Sequence, residues 1–176
     1  MASFFTILII GISLSMDAFS LALVYGIIGL TNNQKITLSI IVGLYHFIMP
    51  LIGLTIGIFI NKISFINLDF IAAIILMYIG IDLILSNLKK EEILSINKIG
   101  FLMFGLSVSI DSLSVGVGLK SLTNSYLVSS LIFSITSCFF TYLGLILGSI
   151  ISKKIGTYSK IVGGIILIII GIIMLI

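Results

Sequence analysis

Six long apolar stretches separated by short polar breaks divide the chain, at roughly 3–29, 36–60, 67–87, 98–119, 125–151 and 158–176. Each reaches or approaches the roughly 20 apolar residues that an α-helix needs to cross the hydrocarbon core of a bilayer. The breaks read "TNNQK" (31–35), "NKISFIN" (61–67), "SNLKKEEILSINK" (86–98), "KSLTNS" (120–125) and "SKKIGTYSK" (152–160), and polar residues collect there. Breaks this short force neighbouring helices to run antiparallel. The pattern predicts an all-α integral membrane protein with six transmembrane helices in one domain spanning 1–176.

Composition agrees. The chain is 60% hydrophobic and 9% charged, with mean hydropathy +1.40. A soluble domain carries about 25% charged residues, so these charges are too few to solvate a globule. The net charge of +3 comes from nine basic residues, all lysine, and in such a chain it reports topology before it reports an anionic partner. The first, third and fifth breaks hold Lys35, then Lys89, Lys90 and Lys98, then Lys153, Lys154 and Lys160; the second and fourth hold only Lys62 and Lys120. The positive-inside rule places the lysine-rich side in the cytoplasm and both termini outside. The N-terminal stretch lacks a basic leader and is long enough to span, so it reads as a helix rather than a cleaved signal. The single cysteine, Cys138, lies in an apolar run and reads as a packing residue.

Residues 11–20, "GISLSMDAFS", overlay on 105–114, "GLSVSIDSLS", with Gly, Ser, Ser, Asp and Ser coinciding. "LIGLTIGIFINK" (51–62) resembles "YLGLILGSIISKK" (142–154), and "MYIGIDLI" (77–84) resembles "IIIGIIML" (168–175). Helices one to three (about 3–88) therefore match helices four to six (about 97–176). Three spans per unit is an odd number, so the second unit crosses in the opposite sense. The expectation is an inverted-topology repeat, a construction of secondary transporters whose sites lie near the midplane where the repeats meet.

Asp17 and Asp111 are equivalent in this overlay, and both are mid-helix. A carboxylate at the bilayer centre costs about 2.5–3.5 kcal/mol, so two of them call for a cation, protons or buried partners. Residues at i−4 and i+3 share a helix face with i, so Ser13 and Ser20 flank Asp17 while Ser107 and Ser114 flank Asp111. Two carboxylates with hydroxyls suit a hard divalent cation with oxygen ligands, Mn²⁺, Mg²⁺ or Ca²⁺. The only histidine, His46, precedes the only proline, Pro50, by four residues. Pro50 removes the helical donor for the His46 carbonyl, and His46 joins the candidate metal residues. Helix five carries Thr136, Ser137 and Thr141 at the matching level. Asp82, within two turns of Lys89, is a candidate for the proton or exit path. Gly53/Gly57, Gly144/Gly148 and Gly163/Gly164 read as close helix contacts.

No P-loop, nucleotide motif or nucleophile–base pair is present. The chain is expected to be neither an enzyme nor an ATP-driven pump and to need no cofactor. The expected partners are a divalent metal ion as substrate and the lipid bilayer, not nucleic acid; a homo-oligomer is left open.

"SMDAFS" in helix one, "MPLIG" in helix two and "SIDSLSVGVGL" in helix four resemble the signature segments of the MntP-type manganese efflux pumps of bacteria, and the likeness runs in order along nearly the whole chain. The resemblance implies six helices in the inner membrane, export of Mn²⁺, and importance of Asp17 and Asp111. Members often carry Gln or Glu at the position of His46, an acidic residue at that of Ser86, and Lys at that of Tyr25. A related branch of sporulation membrane proteins has similar Asp motifs and a Tyr-Gly like Tyr25–Gly26. The readings that follow are a proton-coupled secondary Mn²⁺ exporter, a non-transporting sporulation-type scaffold, or an exporter of another divalent cation or a small amine or amino acid. The absence of arginine and of a mid-span lysine counts against the amine or amino acid reading.

Overall fold

The computed structural model describes residues 4–59 and 98–155, with isolated positions in the stretches 74–84 and 161–173. Among the described residues all regular structure is helical: α1 Phe4–Gly26, α2 Asn32–Phe59, α3 Lys98–Leu122 and α4 Tyr126–Ile155. All four are long and apolar enough to cross a membrane. They coincide with the expected spans one, two, four and five. Spans three and six, with Asp82, Ser86 and Gly163/Gly164, lie outside the described residues, apart from the isolated helical positions.

Local chemistry fixes the ends. α1 tightens at its last turn, where Ile27 and Ile28 donate to the carbonyls of Val24 and Tyr25. Gly29 then turns the chain at φ +86°, a conformation that costs a side chain dearly and glycine little. α2 opens with a capping box. Gln34 N–H donates to Thr31 Oγ1 at 3.3 Å, and the Gln34 side-chain oxygen accepts from Thr31 N–H at 2.9 Å. α2 continues through Pro50 to Phe59.

Hydrocarbon offers hydroxyls no partner, so the helices supply their own. Ser15 donates to Gly11 O at 2.5 Å, Ser39 to Lys35 O at 2.8 Å, Ser107 to Phe104 O at 2.9 Å and Thr136 to Ile132 O at 2.8 Å.

The principal helix pairs are α1 with α4, α2 with α3, and α2 with α4; α1 and α3 touch only briefly. Small residues set these pairs. A side chain at Gly53 of α2 would meet the Leu113 carbonyl and Gly116 of α3, and one at Gly144 of α4 would meet the Phe19 carbonyl and Ala22 of α1. These two contacts involve the same positions in the internal overlay. Likewise Gly11 abuts Ile132, Phe133 and Thr136, while Gly105 abuts Ile41 and Tyr45.

The same contacts give direction. α1 and α4 run parallel, as do α2 and α3. α2 and α4 run antiparallel, with Gly43 against Ser134 and Cys138 and Lys35 Nζ donating to Ser149 Oγ at 2.9 Å. α1 and α3 therefore run in opposite senses.

Two buried clusters fill the two ends. One joins Ala18, Ala22, Tyr25, Leu38, Val42, Phe104 and Leu145, with the Tyr25 and Phe104 rings 4.6 Å apart. The other joins Ile7, Leu14, Leu54, Leu119 and Phe133. Large apolar side chains such as Phe5, Ile135 and Phe139 face outward, as lipid contact allows. Between the clusters, Ser15 Oγ and Ser137 Oγ meet at 3.2 Å, with both residues fully buried. An interhelical bond of this kind contributes about 0.6 kcal/mol in a membrane. Ser137→Ala is therefore expected to lower resistance to unfolding in mixed micelles by about that amount while leaving the aspartate-bearing face intact.

Candidate functional site

The internal repeat of Gly-x-Ser-x-Ser-x-Asp places one carboxylate halfway along α1 and another halfway along α3. Asp17 is exposed, and Ser13 and Ser20 share that exposed stripe of α1. The Ser20 hydroxyl donates to Met16 O at 2.9 Å, which leaves its oxygen lone pairs able to accept or to face a cation. On α3, Asp111 and Ser114 are exposed, whereas Ser107 is buried and donates to Phe104 O. The two serine–aspartate stripes are thus equal in spacing and unequal in surroundings.

Depth follows from the contacts between helices. With a rise of about 1.5 Å per residue, the contacts of Gly11, Gly43 and Gly144 put Asp17 level with Ile41 of α2. Those of Gly53, Gly105 and Gly116 put Asp111 level with Ile48. The two aspartate positions therefore differ in depth by about 10 Å, on either side of the middle of α2. A helical side chain leans toward the N-terminus of its own helix. Because α1 and α3 run in opposite senses, both carboxylates lean toward the middle level.

His46 occupies that level. Its ring is fully buried, in a stripe of α2 with Ser39, Val42, Pro50 and Gly53. Nδ1 lies 3.0 Å from Val42 O, and Nε2 has no hydrogen-bond partner among the described residues. Asp17 is close enough for its charge to act on the ring. Thr141 Oγ1, on the α4 stripe below Ser137, is also buried without a hydrogen-bond partner among the described residues. Among the described residues, no three of His, Cys, Asp and Glu converge on one point. A cation here would take one or two carboxylates and complete its shell with hydroxyls, backbone oxygens, the imidazole or water.

A groove of about 670 Å³ between α2 and α4 is separate from this constellation. It is lined by Ile36, Ile40, Leu44, Ile135, Phe139 and neighbours, and holds no carboxylate. Its chemistry suits lipid or another apolar surface, not an ion.

Sequence reasoning did not anticipate the Ser15–Ser137 tie. Ser15 belongs to the repeated motif and Ser137 is the overlay counterpart of His46, but neither fact pairs the two.

The profile of the Mntp family, described as "Putative manganese efflux pump", matches residues 29–175. Among curated proteins, the chain is similar to three named "Putative manganese efflux pump MntP". It is 34% identical to that of Bacillus pumilus (strain SAFR-032) over 95% of this chain and 92% of the relative. It is 34% identical to that of Bacillus licheniformis over 94% and 90%, and 35% identical to that of Bacillus mycoides (strain KBAB4) over 92% and 90%. No solved structure matches the chain. A profile match across most of the length, and relatives that align nearly end to end, establish that this chain, a multi-pass membrane protein, belongs to the Mntp family.

Proposed function

We propose that this protein is a secondary transporter that exports Mn²⁺ from the bacterial cytoplasm across the inner membrane. Six helices would form two inverted three-helix repeats, with both termini outside. The supporting observations are the opposite senses of α1 and α3 and the matching contacts made by overlay-equivalent glycines. Asp17 and Asp111 are the ion-binding carboxylates, assisted by the hydroxyls of Ser13, Ser20, Ser107 and Ser114. Asp82 belongs to the proton or exit path. The observation that carries the reading is the pair of equivalent mid-helix aspartates in a chain of this family.

Energetics selects the coupling. With the interior negative by 100 mV, moving one positive charge outward costs about 2.3 kcal/mol, and a dication costs twice that. Two carboxylates that release Mn²⁺ outside and return with two protons make the cycle electrically neutral. Alternating access then needs only the rocking of one repeat against the other.

The test is cellular manganese in cells lacking their own exporter, grown under high external Mn²⁺. Expression of the wild-type chain is expected to lower it, and more strongly when the outside is acidic. Unchanged manganese despite verified membrane insertion removes the export reading.

A further inference from the structure

His46 has a buried ring nitrogen without a hydrogen-bond partner among the described residues. A backbone carbonyl only accepts, so the 3.0 Å contact with Val42 O puts the ring proton on Nδ1. The neutral ring then carries its lone pair on Nε2, which is buried and unpartnered. Leaving such an acceptor dry is costly. One ring nitrogen donating to a backbone carbonyl and the other bare is the arrangement of a histidine prepared to bind a metal.

The other half of the molecule sharpens the point. Ser137, the counterpart of His46, is satisfied across the interface by Ser15 at 3.2 Å. The imidazole breaks the internal likeness at the one level toward which both aspartates lean. Asp17 leans toward the level of His46, and its charge is among those that act on the ring. Pro50, four residues on, has no N–H to give the His46 carbonyl, so a backbone oxygen is available at the same turn.

We propose that His46 Nε2 is a direct ligand of the transported cation and sets its selectivity, favouring first-row divalent ions such as Mn²⁺ over Mg²⁺ and Ca²⁺. The proposal rests on the export reading and names the residue that chooses the cargo. Mg²⁺ and Ca²⁺ take oxygen ligands and hold water tightly or in large shells. A neutral imidazole adds little for them, whereas first-row metals accept nitrogen readily. Carboxylates and hydroxyls alone would leave the abundant Mg²⁺ as a strong competitor.

The experiment is pulsed electron paramagnetic resonance of Mn²⁺ added to the full-length protein in nanodiscs, with any histidine tag removed. His46 is the sole histidine, so nitrogen coupling of the imidazole type has one source. The expected result is such coupling in the wild type. In His46→Gln it is expected to vanish, with Mn²⁺ still bound through the aspartates about tenfold or more weakly and displaced at lower Mg²⁺. Mn²⁺ bound by the wild type without nitrogen coupling overturns the proposal and leaves export standing. If the wild type binds no Mn²⁺, the export reading falls and this proposal with it. The wild-type spectrum decides by itself, so the outcome does not depend on the variant folding.

Discussion

Cells expressing the Asp17→Asn/Asp111→Asn protein are expected to hold as much manganese as cells with no exporter, with transport at least about a hundredfold below wild type. Asparagine keeps the shape of aspartate and removes its charge. A dication in a low-dielectric path has only these charges at mid-helix to neutralise it among the described residues. Hydroxyls from Ser13, Ser20 and Ser114 solvate but do not compensate. Each single variant is expected to fail as well, because one carboxylate leaves net positive charge in the membrane. Stability should move the other way. Each mid-membrane carboxylate costs about 2.5–3.5 kcal/mol, so the double variant should resist heat in detergent at least as well as wild type. Loss of transport with retained or improved thermal resistance is the signature sought. An Asp17→Asn protein that still protects manganese-stressed cells would sink the ion-site assignment.

The second large effect is structural. Gly148→Leu is expected to yield little folded protein, and Gly148→Ala to cost about 1–3 kcal/mol or more. A Cβ at Gly148 would run into the Leu23 carbonyl, and one at Gly53 into the Leu113 carbonyl. Backbone cannot rotate aside as a flexible side chain can, so the helices must separate. In a bilayer, close packing is a main source of helix association, because lipid tails are as apolar as leucine. Gly118 provides the control. A Cβ there meets nothing within 4 Å, and Gly118→Ala should change stability by less than about 0.5 kcal/mol. Thermal unfolding of the purified variants in one detergent would compare all three.

These two predictions also mark how far the sequence could be read. The positions of the four described helices were legible because hydropathy alone separates span from break. The aspartates were legible because the motif around Asp17 recurs around Asp111, and the close contacts because small residues recur at Gly53 and at Gly144/Gly148. Which face of each helix meets which neighbour was not legible. In lipid both faces of a helix are apolar, so no amphipathic stripe points to the partner. Ser13 and Ser107 illustrate this: each stands four residues before its aspartate, yet Ser13 is exposed and Ser107 buried. The tie between Ser15 and Ser137, and the bare Nε2 of His46, depend on contacts between helices far apart in sequence. Spacing along one helix carries no information about them.

The pairing of the helices has a consequence for how the protein is made. Among the described residues the principal pairs join the two halves of the chain: α1 lies mainly on α4, and α2 on α3 and α4. α1 and α2 therefore enter the membrane before the surfaces that bury them exist. Among the described helices, cohesion arrives with insertion of the second half of the chain. Cut within the 86–98 linker and produced as two fragments, the chain should reassemble in the membrane as a heterodimer, while either fragment alone should be cleared by quality-control proteases.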